Sequence, residues 1–167
     1  MADVAQPNKS MMELALALTP RVQIQDIRLE NSTIRSKLSC GVPAMRVEYA
    51  MNAGGTVDHD TKELLIHASL MVCAKIDSEL KPAEELFYIA AELILRYSLD
   101  ATDGFDEEHI NAFGRLNGIH NVWPYWREYV QSTTVRLGLP PLTLPLMTGD
   151  SLLAYFAKSP ESNAATG

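Results

Sequence analysis

Few side chains in this chain have the type and spacing for covalent or metal chemistry. Asp58-His59-Asp60 sets three metal-ligating groups in a row, yet in a polar stretch between apolar segments, where two carboxylates around a histidine read as a solvated loop. Cys73 lies two positions from Lys75 on an alternating apolar segment, with His67 on the same face. A nearby ammonium lowers a thiol pKa, whereas burial in a strand makes it inert, and burial is the expectation here. No glycine-rich phosphate loop, paired-cysteine zinc spacing or His-Glu-x-x-His occurs. The expectation is therefore no enzyme, no catalytic residue, no metal and no cofactor. Adhesion is another matter. Residues 121–147 place both tryptophans, Trp123 and Trp126, on one helical turn, then run into Leu139-Pro140-Pro141-Leu142-Thr143-Leu144-Pro145-Leu146. Prolines bar that run from a regular helix or a central strand, so its leucines must lie along a surface or offer one. The tryptophans either pack in a core or, with Leu139, Leu142, Leu144 and Leu146, wall a groove for hydrophobic chain, and spacing alone leaves both readings open.

The elements that must position these residues follow from periodicity. Residues 21–38 read as a strand in which Val22 and Ile24 share one face and Ile27 and Leu29 fall on the other, a phase change that predicts a bulge or bend. Met45, Val47, Tyr49 and Met51 alternate with polar or small residues in a second strand, and Asn52-Ala53-Gly54-Gly55 predicts a turn. Residues 62–77 and 84–99 are two long strands, each with one wholly apolar face and one mixed face, broken by Lys81-Pro82 and most simply joined as a hairpin. Mixed second faces predict helices on one side of the sheet and another subunit on the other.

After Asp100 the period becomes helical. Ile110, Phe113 and Leu116 follow the acidic start Asp106-Glu107-Glu108, and Gly118 is expected to end that helix. Asn121 is expected to cap a main helix, with Pro124 in its first turn and Val122, Trp126, Tyr129, Val130, Thr133 and Leu137 as its apolar stripe. Gly138 stops it, the leucines of the crossover alternate to one side, Asp150 or Ser151 caps a last helix, and Pro160 closes it. The layout is α+β: a four-stranded antiparallel sheet with a long helix, an extended crossover and a short C-terminal helix on one face. Residues 1–20 form an N-terminal arm, partly disordered, in which Met11–Leu18 is a short docking segment rather than a signal peptide because Glu13 interrupts its apolar run. Residues 21–157 form the domain and 158–167 a disordered tail.

Composition narrows the partners. A 167-residue chain that is 47% apolar suffices for one core. A net charge of −7 disfavours nucleic acid and anionic membrane surfaces, and no apolar run approaches the roughly 20 residues that span a bilayer. Cys40 and Cys73 have no paired spacing and fit a reducing, cytoplasmic compartment.

Several of these residues, in this order of elements, resemble the SecB family of export chaperones. Asn121, Pro124, Tyr125, Arg127 and Glu128 are similar to the family's Pro-Asn-x-x-Phe-Pro-Tyr-Ala-Arg-Glu signature, with Trp123 for the phenylalanine, Trp126 for the alanine and His120 for the first proline. Arg136, Pro140, Leu142, Leu144 and Asp150-Ser151-Leu152 resemble the segments that follow it, with the glycine one place late at Gly138, and Val22-Gln23-Ile24-Gln25 resembles the opening strand. The resemblance implies a homotetramer, a dimer of dimers, that holds unfolded preproteins in apolar grooves without ATP and passes them to the SecA motor. It makes Trp123, Trp126, Leu139, Leu142, Leu144 and Leu146 the candidate polypeptide-binding residues. The family's motor docks on acidic strand faces, whereas residues 31–35 here are polar to basic and Ala90-Ala91 is uncharged beside Glu92, which counts against SecA as a partner. A chaperone dedicated to one client, such as the antitoxin of a toxin–antitoxin system, fits that departure. A small-molecule-binding or dimerisation module on the same plan is the third expectation.

Overall fold

The computed structural model describes residues 10–37, 44–76 and 84–158. The expected tail beyond Lys158, Pro160, residues 1–9 of the arm, Cys40 and the Lys81-Pro82 break lie outside the described residues.

Strands β1 (Val22–Ser36), β2 (Met45–Asp58), β3 (Glu63–Ile76) and β4 (Glu85–Leu99) form one antiparallel sheet in the order β1-β4-β3-β2. β3 and β4 are central because each has a continuous apolar face: Leu64, Ile66, Ala68, Leu70, Val72 and Ala74 on one, Phe87, Ile89, Ala91, Leu93, Leu95, Tyr97 and Leu99 on the other are all buried. Cross-strand pairing puts both sets on the same side of the sheet, Ala68 opposite Leu93 and Val72 opposite Ile89.

The expected bulge is present, and its effect differs from the simple parity reading. The β1–β4 register slips between Ile24 and Asp26 and again between Leu29 and Asn31. Each slip inserts one residue, so Ile24 opposes Tyr97, Ile27 opposes Leu95, Leu29 opposes Leu93 and Ile34 opposes Ile89. Ile27 and Leu29 therefore return to the face of Val22 and Ile24 instead of pointing away from it, because an extra residue reverses the alternation.

Asn52-Ala53-Gly54-Gly55 is not a turn but the middle of β2. Glycine is needed there because helices cross the strand closely: a Cβ on Gly55 would lie 2.9 Å from the Leu65 carbonyl and 2.9 Å from Ile110 Cγ2. The chain turns instead at residues 59–62, where Asp58 Oδ1 accepts the N–H groups of Asp60 and Thr61.

Helix α1 (Met11–Leu18) starts with a capping box between Ser10 and Glu13 and buries Ala15 and Leu18 against the next helix, α2 (Glu107–Phe113). Arg21 ties the start of β1 to the connection after β4, donating to the Asp103 carbonyl at 2.7 Å, pairing with Asp100 and covering the Phe105 ring.

Gly118 does not end a helix. A π-helical turn, Gly114–Gly118, carries α2 directly into α3 (Ile119–Arg136). A Cβ on Gly118 would come 2.8 Å from Ile66 Cγ2, so this glycine serves helix–sheet approach rather than termination. Asn121 and Pro124 consequently lie inside the helical run, and Asn121, freed from capping, donates to the Tyr97 hydroxyl at 2.9 Å. Gly138, at φ +76°, stops α3 as expected. Helix α4 (Gly149–Lys158) is capped by Thr148, whose hydroxyl accepts the Ser151 N–H, rather than by Asp150 or Ser151.

Candidate functional site

The reactive side chains do not assemble. The Asp58 carboxylate is held below the usual range by the backbone N–H groups of its own turn. Burial pushes the Cys73 thiol up, outweighing Lys75, which is paired with Glu48 at 2.7 Å. Among the described residues no three His, Cys, Asp or Glu side chains converge as a metal site, and no helix is long and apolar enough to cross a membrane.

Apolar surface gathers along the two flanks of α3. On the β2 flank the crossover returns beside the helix, pinned at three points. The Trp123 indole donates to the Pro145 carbonyl at 2.8 Å, Arg127 Nε to the Leu144 carbonyl at 2.9 Å, and the Leu142 N–H to Thr134 Oγ1 at 3.1 Å. Two residues of the signature motif's neighbourhood thus act on the crossover backbone. Tyr49 of β2 meets Trp123 edge-on and stacks with Tyr155 of α4, whose hydroxyl accepts the Met51 N–H at the open edge of β2. The crossover leucines do not all turn one way: Leu144 is buried, Leu139 and Leu142 are half-buried, and Leu146 is 75% exposed. Met147 takes the inward place beyond it.

On the β1 flank lies a groove of about 180 Å³ whose walls include Ile27 and Leu29 of β1, Leu93 of β4, and Trp126 and Tyr129 of α3. Tyr125 and Glu128 of the motif stand at its helix side, Tyr125 more than half exposed. Ile24, Leu29 and Ile34 remain in water along the same face because β1 is an edge strand that α3 does not cover. Trp126 is itself buried, and its indole N–H has no hydrogen-bond partner.

The two tryptophans therefore do not line one groove. Trp123 and Trp126 are both core rings, but Trp123 fastens the crossover while Trp126 backs the β1 groove. Sequence reading missed Ile27, Leu29, Leu93 and Tyr129 as groove residues. The signal was the phase break in β1, read without the bulge's consequence for facing.

An open four-stranded antiparallel sheet, with one long helix across a single face and an extended crossover returning along that helix, is a SecB-like α+β fold. Relatives support the same class. The chain is 28% identical over 153 residues to the SecB-like chaperone MT2006 of Mycobacterium tuberculosis strain CDC 1551, covering 83% of this chain and 84% of the relative. It matches the SecB-like chaperone Rv1957 of strain H37Rv at the same identity and coverage. The solved structure of the Rv1957 SecB-like chaperone in complex with a ChAD peptide from the Rv1956 HigA1 antitoxin aligns with a TM-score of 0.71, at 23% identity, over 81% of this chain and 97% of that one. No family model matches the chain.

Proposed function

We propose that this protein is an ATP-independent chaperone dedicated to a particular protein client, and that it holds an extended apolar segment of that client beside α3. The observation that carries the reading is the row of Ile24, Leu29 and Ile34, left in water next to the groove backed by Trp126. Burying such surface is worth about 25 cal/mol per Å² and makes little demand on sequence, which suits capture of unfolded chain. On the other flank, beside the β2 edge, the candidate crossover residues offer a second apolar surface through exposed Leu146 and half-buried Leu139 and Leu142, with Leu144 and Trp123 buried behind them. A long client segment can engage both flanks, so that weak contacts add.

A dedicated client is favoured over general export. The relatives are SecB-like chaperones, and the solved one holds an antitoxin peptide. The open face of the sheet, where the export family docks its motor on acidic side chains, here interleaves Arg28, Arg35 and Arg96 with Glu63, Glu85 and Glu92. Four of these six form two pairs, Arg35 with Glu85 and Arg96 with Glu63.

The test dilutes a denatured, slow-folding precursor and, separately, an aggregation-prone antitoxin into increasing amounts of this protein without nucleotide. Stoichiometric suppression of antitoxin aggregation, with weak action on the precursor, is the expected result. Equal suppression of both would return the general export holdase. Suppression of neither would remove the chaperone reading and leave a ligand-binding or dimerisation module.

A further inference from the structure

Arg115 is a half-buried cation without a counter-charge. The chain carries 21 acidic and 14 basic side chains, so a basic group lacking a carboxylate neighbour is the less expected case. Among the described residues, every other arginine or lysine is ion-paired, exposed, or, as Arg127, bonded to a carbonyl. Arg115 has neither an ion pair nor a hydrogen bond among these residues, and its Nε is enclosed. The Phe156 ring lies 5.8 Å from its guanidinium carbon, near the outer limit of a cation–π contact, and offsets little of the cost of withdrawing a charge from water.

The π-helical turn Gly114–Gly118 brings Arg115 to the β2 flank. Turns of this kind recur at functional sites, because the extra residue re-aims the side chains around it. Gly114 lies on β2, where a Cβ would meet the Ala53 carbonyl carbon at 3.6 Å, and Arg115, the next residue, reaches Phe156 of α4. From there aromatic contacts continue without a gap. Phe156 meets Tyr155 at 5.1 Å, Tyr155 meets Tyr49 at 6.4 Å, and Tyr49 meets Trp123 at 6.1 Å between ring centroids. The line therefore runs from the crossover, past exposed Tyr49, to the guanidinium. Along β2 it covers Tyr49 to Ala53, about 14 Å at the usual rise of about 3.4 Å per residue.

On the reading that a client lies along this flank, we propose that Arg115 selects client segments carrying an aspartate or glutamate about four residues from an apolar anchor. The anchor covers Tyr49 and Leu146, both exposed, and the side-chain carboxylate meets the guanidinium. Of the guanidinium nitrogens only Nε is enclosed without a partner, which leaves the terminal ones to bond a carboxylate in the two-to-two geometry that arginine favours. Apolar contacts along the flank make little demand on sequence. A charge pair at its end supplies the discrimination among clients that a dedicated chaperone requires, since a segment lacking the carboxylate leaves Arg115 unpaired.

The experiment measures, by fluorescence anisotropy, binding of the full chain to labelled Leu-Phe-Ser-Ala-Ser-Glu-Leu-amide and to the peptide of reverse order. Each is compared with the same peptide carrying Gln or Lys in place of Glu. In one of the two orders the Glu peptide is expected to bind about tenfold more tightly than the Gln peptide. Arg115→Gln should remove that preference without weakening the Gln peptide. Arg115→Glu should transfer it to the Lys peptide, a reversal that loss of packing alone would not produce. Equal binding of the Glu and Gln peptides, or a preference that survives Arg115→Gln, would overturn the proposal and leave the chaperone reading in place. A peptide ending in a free carboxylate at the Glu position, if it binds as tightly as the Glu peptide, would overturn the side-chain assignment and give Arg115 to a client C-terminus. Absence of binding by every peptide would also overturn the proposal, and the aggregation assay would then decide the chaperone reading by itself.

Discussion

The Trp123 indole N–H and the Pro145 carbonyl, 22 residues apart in sequence, meet at 2.8 Å. This bond lets an extended, proline-rich segment with no regular partner keep a defined position along α3. With Arg127 on the Leu144 carbonyl and Thr134 on the Leu142 N–H, it replaces the backbone ladder the prolines prevent.

Trp123→Phe keeps a ring in the core and deletes the donor. Stability is expected to fall by about 1 kcal/mol, the usual net worth of a hydrogen bond, in urea unfolding. Hydrogen exchange should quicken at Leu142, whose amide depends on the crossover staying against Thr134.

Leu29→Asp places a charge in the β1 groove at a position already 49% exposed. The fold should survive with a loss below about 1 kcal/mol, as for a typical surface change. Client capture should weaken severalfold in the aggregation assay. Unchanged capture at unchanged stability would place the client elsewhere, with the crossover flank the next site to test.

Gly55→Ala is expected to destabilise by about 1–3 kcal/mol, because its Cβ would strike the Leu65 carbonyl and Ile110 at once. A tip such as Ile66 Cδ1 can rotate away, but a strand carbonyl cannot. A thermal melt matching the parent would mean that α2 can lift from β2 at little cost.

Asp106 caps α2 and bonds the His109 side chain at 2.6 Å. That bond, then the His109 backbone N–H, holds the Asp106 carboxyl below its usual range. A carboxylate with a lowered folded pKa adds stability that is complete above its unfolded value of about 4 and is lost as pH falls through the folded one. Asp106→Asn keeps a capping oxygen and removes the charge. The parent should melt higher than this variant at pH 7, and the gap should close on acidification below pH 4. A gap independent of pH would assign the effect to cap geometry instead of charge.

Much of the fold was legible because its signals are local. The alternation in β3 and β4 needs only neighbouring residues, and the same holds for the helical stripe from Val122 to Leu137 and the stop at Gly138. Even the β1 bulge announced itself as a break in phase. Glycines were the main misreading: Gly54-Gly55 and Gly118 look like punctuation, yet the space they leave is filled by Ile66, Ile110 and Asn111 from other elements.

The sequence by itself determined the element types and their α+β order, and it marked out the apolar stretch that follows the tryptophans. Tertiary structure alone decided where that apolar surface faces. Trp123 and Trp126 sit three residues apart, yet one is claimed by a carbonyl 22 residues downstream and the other backs a groove closed by Ile27 and Leu29, about a hundred residues upstream. Which flank a helix residue serves depends on what the chain packs beside it, and that is set by strand order and by two inserted residues in β1. Local periodicity carries neither of these.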